Sequence, residues 1–541
     1  MKKKLVLFCT LALLVSAALG GCSQGGKSSD TQANDSASSE SSSTSNTDSE
    51  NADASTESDT SSDGTPTTGG SVVLGMTQDL VSLDPHETTD AGTRSVVFNM
   101  YEGLVKATSD GDLTPAVASS YVISEDATCY TFTLRDGILF SDGTAVTVED
   151  VKYSIERYAQ LQGESSSFAT AVDSVVIDDE NTVSIYLTEA NSEFLAQLTV
   201  AIIPASNNDP AGNPIGTGPF KYVSYSVGQN LVLERNEYYW GDAAYLDQVE
   251  FKFIADTETA FTQLLAGTID ILNYLTTSQV QTLEAQYSDQ FNVVEGSMHL
   301  VHAMFLNHEY EPLSDVRVRQ ALCYAVNREE INQFLFDGAS EIIGSHMIPA
   351  LTAWYEESTA DMYTYDVEKA KELLAEAGYV DGFDLTISVP SSYSQHVDTA
   401  QIIASQLEEV GINVTIQEVE WSTWLSDVYR GRDYQATVIS FDGDLNPSDW
   451  LARYKSDASN NFFNYSSEEY DALLEVALAS IDTDEKADLY KQMQINLAEN
   501  AVAVYIEDPA DFVAVSSDYA GYVFYPTSAW DMSTIYMVSD E

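Results

Sequence analysis

Basic residues are scarce in this 541-residue chain: 23 Lys and Arg stand against 85 Asp and Glu, for a formal charge of -62. Nucleic-acid binding draws its affinity largely from Lys and Arg on phosphates, so that class is excluded. Attachment to anionic lipid through a polybasic patch is excluded for the same reason. The acidic excess favours solubility and says nothing of chemistry. Cysteine is scarce too, at four residues. Cys9 lies in an N-terminal apolar run and Cys22 follows it, which leaves Cys129 in a strand-like segment and Cys323 in a helix-like one. Two such residues without CxxC spacing make neither a disulfide framework nor a thiolate metal site. Buried free thiols are expected, with a Cys129–Cys323 bridge as the alternative.

Long apolar runs are absent after the N-terminus. The one such run, Leu5 to Leu19, follows Met1-Lys2-Lys3-Lys4 and ends in Leu19-Gly20-Gly21-Cys22. About fifteen residues fall short of the roughly 17 to 25 that cross a bilayer as a helix, so the segment reads as a cleaved signal, residues 1–21. Small residues at Gly20 and Gly21 suit a peptidase, and the Cys22 thiol suits a diacylglycerol. Lipidation of Cys22 on the outer face of the cell membrane is therefore expected. Residues 22–70 are Ser, Thr, Asp, Asn, Gly and Ala with almost nothing apolar, too little to repay the entropy of folding. As a flexible tether of about 48 residues its reach is on the order of 35 to 40 Å.

What is present beyond the tether is a long alternation of strand and helix signals. About 470 residues exceed what one hydrophobic core usually serves, so two or more lobes are expected. Ser71 to Met76 reads as a strand, Leu83-Asp84-Pro85-His86 as a turn, and Cys129 to Leu134 as a second strand. Thr147 with Asp150 reads as a capping box opening a helix through Val151, Ile155 and Tyr158. Asn181 to Leu187, Leu231 to Glu234 and Val249 to Ile254 are strand-like, and Thr257 to Leu265 is helical. Asp315 caps a helix through Ala325, and Val367 to Ala377 forms another that Gly378 stops. Phe383 to Val389, Thr399 to Val410 and Val414 to Val419 have βαβ spacing. The fold class is α/β.

Several segments in order carry a resemblance: Leu83-Asp84-Pro85-His86 with Tyr101-Glu102-Gly103-Leu104, then Thr131-Phe-Thr-Leu-Arg-Asp-Gly137 with Phe140-Ser-Asp-Gly-Thr144. Pro214-Ile-Gly-Thr-Gly-Pro-Phe220, Leu233-Glu-Arg-Asn236 with Tyr239-Trp240, and Asp315-Val-Arg-Val-Arg-Gln-Ala321 follow. Together they resemble family 5 of the ABC-transporter solute-binding proteins, the oligopeptide, dipeptide and nickel receptors. The resemblance implies a two-lobed periplasmic-binding-protein (Venus-flytrap) fold, type II-like, with an extra α/β subdomain on the first lobe. It puts 71–105, 215–305 and 505–541 in a discontinuous first lobe, 106–214 in the subdomain and 306–504 in the second lobe. It further implies a monomer, without cofactor, that closes on a small peptide or related solute and hands it to an ABC permease with its ATPase subunits.

The Gly216-Thr217-Gly218 segment lacks the Lys-Ser/Thr of a P-loop and reads as turn chemistry. Asp442-Gly443-Asp444-Leu445-Asn446 imitates a calcium loop, but Pro447 and Arg453 stand where Gly and Glu belong. By resemblance, an Asp in this loop takes a peptide's α-ammonium, two residues after an aromatic. Shortening the loop by one residue assigns these roles to Asp444 and Phe441; without a gap the position falls on Gly443, and Asp442 is the reserve. A solvated acidic turn is the plain alternative. The strand ending Ser440-Phe441 offers a free edge to an extended peptide, and Asp90-Ala91-Gly92 is at the family's matching place on the first lobe. Tyr505 stands where the family sets an aromatic near the ligand, with a plain core tyrosine as the equal alternative; Trp421, Trp424, Trp450 and Tyr393 each read by default as core or surface, and Trp450 is the one of them favoured for the pocket. Arg430, Arg432 and Arg453 read as solvated charge by default. His299 and His302 face opposite sides of a strand-like segment and, with His308, do not read as metal ligands. No nucleophile elbow or HExxH pattern occurs, so an enzyme is not expected. A nickel-chelate receptor and an exported hydrolase are the alternatives.

Overall fold

The computed structural model describes residues 65–88, 90–163 and 166–539. The expected signal, Cys22 and most of the tether lie outside the described residues. The tether was expected to run to residue 70, but its end belongs to the fold. Pro66–Thr67 pairs antiparallel with Tyr536–Val538, and the Gly69 N–H donates to the Tyr245 carbonyl at 2.8 Å.

Seven strands make the first-lobe sheet among the described residues. Their spatial order is Phe291–Ser297, Ala510–Ser516, Ile271–Leu272, Ser71–Met76, Gln248–Phe253, Asn230–Arg235 and Phe220–Ser226. Ser71–Met76 is central because both faces are apolar: Val72 and Leu74 are fully buried with Phe251 and Val513 on one, and Val73 packs against the cluster of Leu264 and Phe512 on the other. Gly216 and Gly218 lie against the Asn99–Tyr101 backbone, where a Cβ would come within 2.2 Å of the Met100 carbonyl and 2.6 Å of the Asn99 carbonyl. Close backbone approach is thus what those glycines provide.

The subdomain is a four-stranded antiparallel sheet, Ala118–Ile123, Cys129–Leu134, Thr182–Leu187 and Val172–Ile177, covered by the helix Val148–Gln162. The capping box forms as expected: the Thr147 N–H donates to Asp150 Oδ2 at 2.9 Å and the Asp150 N–H to Thr147 Oγ1 at 3.3 Å. Caps of this kind contribute about 1 kcal/mol. Arg157 on that helix pairs with buried Asp84 and donates to His86 Nδ1 at 2.8 Å. The Leu83–His86 landmark therefore clamps the subdomain to the first lobe.

The second-lobe sheet has the order Glu341–Ile342, Ala503–Asp508, Val301–Leu306, Ala436–Phe441, Asp384–Pro390 and Asn413–Val419. One apolar cluster covers each face. Lobe boundaries at 305 and 505 cut through two of these strands. Val301–Leu306 pairs with Ala436–Phe441, and Ala503–Asp508 pairs with Val301–Leu306, so both belong wholly to the second sheet. The chain crosses from Ser297 to Val301 and returns from Asp508 to Ala510. The crossings lie side by side: the Met298 N–H donates to the Pro509 carbonyl at 2.8 Å and the Leu300 N–H to Asp508 Oδ1 at 2.9 Å. Cys129 and Cys323 are both free.

Candidate functional site

Strand direction locates the site. In the second lobe Asp384–Pro390, Asn413–Val419 and Ala436–Phe441 are parallel. Ala503–Asp508 runs the same way, since it and Ala436–Phe441 are both antiparallel to Val301–Leu306. Pro390, Val419, Phe441 and Asp508 therefore end on one edge, the edge of the crossings. In the first lobe Ser71–Met76, Gln248–Phe253 and Ile271–Leu272 are likewise parallel, and Ala510–Ser516 starts where they end. Open α/β sheets take ligands outside the carboxyl ends of their strands. Here those ends from both lobes meet at the crossings.

On the second-lobe side the loop after Phe441 is held from below. The Trp450 indole N–H donates to the Asp444 carbonyl at 2.8 Å, and Gly443 rests on the same ring, where a Cβ would lie 2.5 Å from it. Phe441 packs against Phe305, with centroids 5.2 Å apart, and beneath the Arg453 guanidinium at 4.6 Å. Arg453 Nε has no hydrogen-bond partner among the described residues. The Asp444 side chain meets solvent while protein crowds it from most sides, the situation of a carboxylate on a cleft wall. Burial pushes its carboxyl up; Arg94, on the first-lobe helix Ala91–Val97, opposes this, and Asp442 adds to it. Asp449 is raised to about 7, by burial first and then by the charges of Asp444 and Glu193.

Ser440, Phe441, Asp442, Gly443 and Asp444 are thus together on one rim. The Ser440 Oγ is buried without a partner among the described residues. Ala436–Phe441 pairs with Asp384–Pro390 only through Ala436 and Thr437, so from Val438 to Phe441 that side has no strand neighbour among the described residues. Three expectations need correction. Trp450 is wholly buried and supports the loop from beneath instead of walling a pocket. Tyr505 is also core: 4% exposed, its hydroxyl donates to Tyr454 Oη at 3.1 Å. Asp90, Ala91 and Gly92 are not an extended edge. Asp90 caps a helix, accepting from the Thr93 N–H at 2.8 Å, and Ala91 and Gly92 are its first turn. The cap holds the Thr93 and Arg94 amides, and a helical turn presents no extended ladder to a peptide. Asp90 Oδ2 is left without a partner at this edge.

Sequence reasoning missed the first-lobe rim. Asn273 and Tyr274 follow Ile271–Leu272 at its carboxyl end, and Asp511 is the second residue of Ala510–Ser516. Both amide atoms of Asn273 and the Oδ1 of Asp511 are buried without partners of good geometry among the described residues, and Tyr274 has φ +59°. An Asn-Tyr pair has no sequence signal for this; an Asp inside an apolar run was the one available hint. The histidines are individually placed. His302 Nδ1 lies 3.3 Å from Glu507 Oε1, and burial pushes the ring down to about 3 and the carboxyl up to about 8, favouring the neutral form of each. His308 Nε2 contacts the Val502 carbonyl at 3.0 Å.

The model of the bacterial extracellular solute-binding proteins, family 5 (middle region), matches residues 112–463. Heme-binding protein A of Haemophilus influenzae is 28% identical over 455 residues, covering 77% of this chain and 82% of that protein. The probable D,D-dipeptide-binding periplasmic protein DdpA of Escherichia coli is 30% identical over 488 residues, covering 84% and 92%. The periplasmic binding protein DppA of Helicobacter pylori, solved with the peptide STSA, is 26% identical, with a TM-score of 0.68 over 87% of this chain and 99% of that one. Two α/β lobes joined by paired crossings, an appended subdomain and this profile match lead to one conclusion: the chain belongs to family 5 of the bacterial extracellular solute-binding proteins.

Proposed function

We propose that this protein captures a short peptide with a free amino terminus between its two lobes and delivers it to an ABC permease, while a lipid on Cys22 holds it at the outer face of the membrane. The carrying observation is Asp444, a carboxylate on the cleft wall, raised by burial and opposed across the cleft by Arg94. An ammonium leaving water requires such a countercharge. The strandless side of Val438–Phe441 offers main-chain groups beside it, the usual route by which a site accepts varied side chains. Relatives named for dipeptides, and one solved with a tetrapeptide, support the same solute class. Strand pairing supports a first lobe of 71–105, 215–297 and 510–541, a subdomain of 106–214 and a second lobe of 301–508. The protein acts by binding and closure, without turnover.

Mass spectrometry of ligand released from denatured recombinant protein tests the solute class. Peptides are expected; a metal chelate, a tetrapyrrole or a sugar would replace the reading. Asp444→Ala tests the anchor. Loss of a charge-assisted hydrogen bond of about 1.5–3 kcal/mol should weaken a free-amine peptide about 10- to 150-fold and leave its N-acetylated form within a factor of three. Equal losses for both forms would remove Asp444 from the site.

A further inference from the structure

Asp511 opens the strand that re-enters the first lobe, and its side chain is 6% exposed. It shares a face with Val513 and Val515 and pairs in register with Gly296. That glycine makes room for an aromatic ring over this face, since a Cβ would stand 2.3 Å from Phe524. Tyr522 packs edge-on to Phe524 with centroids 5.3 Å apart, and Trp530 faces Tyr274 at 6.5 Å. Tyr522 and Tyr274 both feel the Asp511 charge, and the backbone N–H groups of Tyr274 and Phe512 lie beside the carboxylate. A buried carboxylate thus has the rings of Tyr274, Tyr522 and Phe524 grouped around it, a grouping termed the Asp511 niche. Asp511 Oδ1 has no partner among the described residues, and the Asn273 amide beside it, which faces the Tyr522 hydroxyl, makes no hydrogen bond of good geometry among them.

The two backbone N–H groups serve part of the carboxylate only, and a buried carboxylate oxygen left without a partner is costly, so native folds keep one where something else completes it. Tyr274 points the same way: a non-glycine residue at φ +59° is a strain that marks functional positions, and its ring is 58% exposed. Carboxylate and aromatic faces together select one chemistry. A cation pairs with the former and is attracted by the quadrupole of the latter. A neutral hydroxyl would use the acid and waste the rings, and an apolar side chain would do the reverse.

We infer that the Asp511 niche binds a cationic side chain of the ligand, an ammonium or guanidinium, so that the preferred solute carries a basic group besides the amine held at Asp444. This rests on the peptide reading for the second amine. Burial raises the Asp511 carboxyl to about 7, so a bound cation would also displace a proton.

The test uses Ala-based peptides of two to five residues in which one position at a time is Lys, norleucine or Glu, titrated calorimetrically into the full chain. At one position Lys should bind at least about tenfold tighter than norleucine, and Glu weakest. Asp511→Asn should bring the Lys-to-norleucine ratio below about threefold. Tyr274→Gly, which removes the ring and suits the left-handed backbone, should lower it about three- to tenfold without loss of folding. Equal affinities for Lys, norleucine and Glu, or a Lys preference that survives Asp511→Asn, would overturn the inference. If no peptide binds, the peptide reading falls, and 1,5-diaminopentane decides the niche. Saturable binding that Asp511→Asn abolishes upholds it; absence of saturable binding overturns it.

Discussion

Glu193 ties the subdomain to the second lobe, and removing it should be among the most damaging single changes in the protein. Its side chain is 4% exposed. Oε1 accepts from the Tyr490 hydroxyl at 2.5 Å and lies 3.3 Å from Lys486 Nζ, while Oε2 accepts from the Ser448 N–H at 3.4 Å. Lys486 is itself only 8% exposed. Glu193→Ala leaves that ammonium buried without its counterion, and breaking a buried pair this way costs about 3–5 kcal/mol, against about 0–1 for a surface pair. The Trp354 ring, 5.6 Å from Nζ, recovers part of this, about 1 kcal/mol. Lys486→Met should cost less, because Glu193 keeps Tyr490 and Ser448. The double variant should then be more stable than Glu193→Ala alone, since no ammonium is stranded. Urea unfolding followed by circular dichroism, on ligand-free protein, measures all three. Ser448 lies in the helix Pro447–Leu451 directly after the Asp444 loop, so Glu193→Ala should weaken ligand binding as well. A loss under 1 kcal/mol for Glu193→Ala, or costs that simply add in the double variant, would refute the assignment of a coupled buried pair.

Two further outcomes follow from particular packing and titration states. Gly443→Ala drives a Cβ into the Trp450 ring, so overpacking of about 1–3 kcal/mol should lower the melting temperature by about 1 to 3 °C and weaken ligand binding together; unchanged values would mean the loop does not rest on Trp450. His302 has a folded value of about 3 against an ordinary 6.5, so between those limits the unfolded chain takes up a proton that the folded one refuses. Its contribution is complete above pH 6.5 and is lost as pH falls toward 3, at up to about 1.4 kcal/mol per unit. His302→Gln should therefore shallow the acid-side fall in stability measured by urea unfolding from pH 6.5 to 4, and an unaltered slope would show that the ring is protonated in the fold.

Regular elements were legible wherever pattern and cap agreed. Ser71–Met76, Cys129–Leu134 and Thr257–Leu265 begin and end where alternation, the Asp256 cap and Gly267 require. The rim Ser440–Asp444 was legible as a loop after a strand, because Pro447 fixes the next helix start. Aromatic roles were not. Trp450 and Tyr505 read equally well as wall or core, and which they are depends on the face that the loop and the strand present, a tertiary fact. At Asp90 the opposite error occurred: resemblance suggested an edge, while local capping chemistry wins and starts a helix. The lobe boundaries failed for a related reason. Val301–Leu306 and Ala503–Asp508 are buried on both faces, so they lack the alternation that would reveal which sheet they join. Glu507, Asp508 and Asp511 stand in the apolar stretch from Val502 to Val515, all at most 6% exposed. Each has one oxygen without a partner, and burial raises them to about 8, 7 and 7. Carboxylates are improbable in such a run on packing grounds alone. Where a sequence breaks the rule its neighbours obey, the breach marks a place that stability did not choose. Here it marks the second crossing between the lobes and the first-lobe niche, the two places where closure and ligand would act.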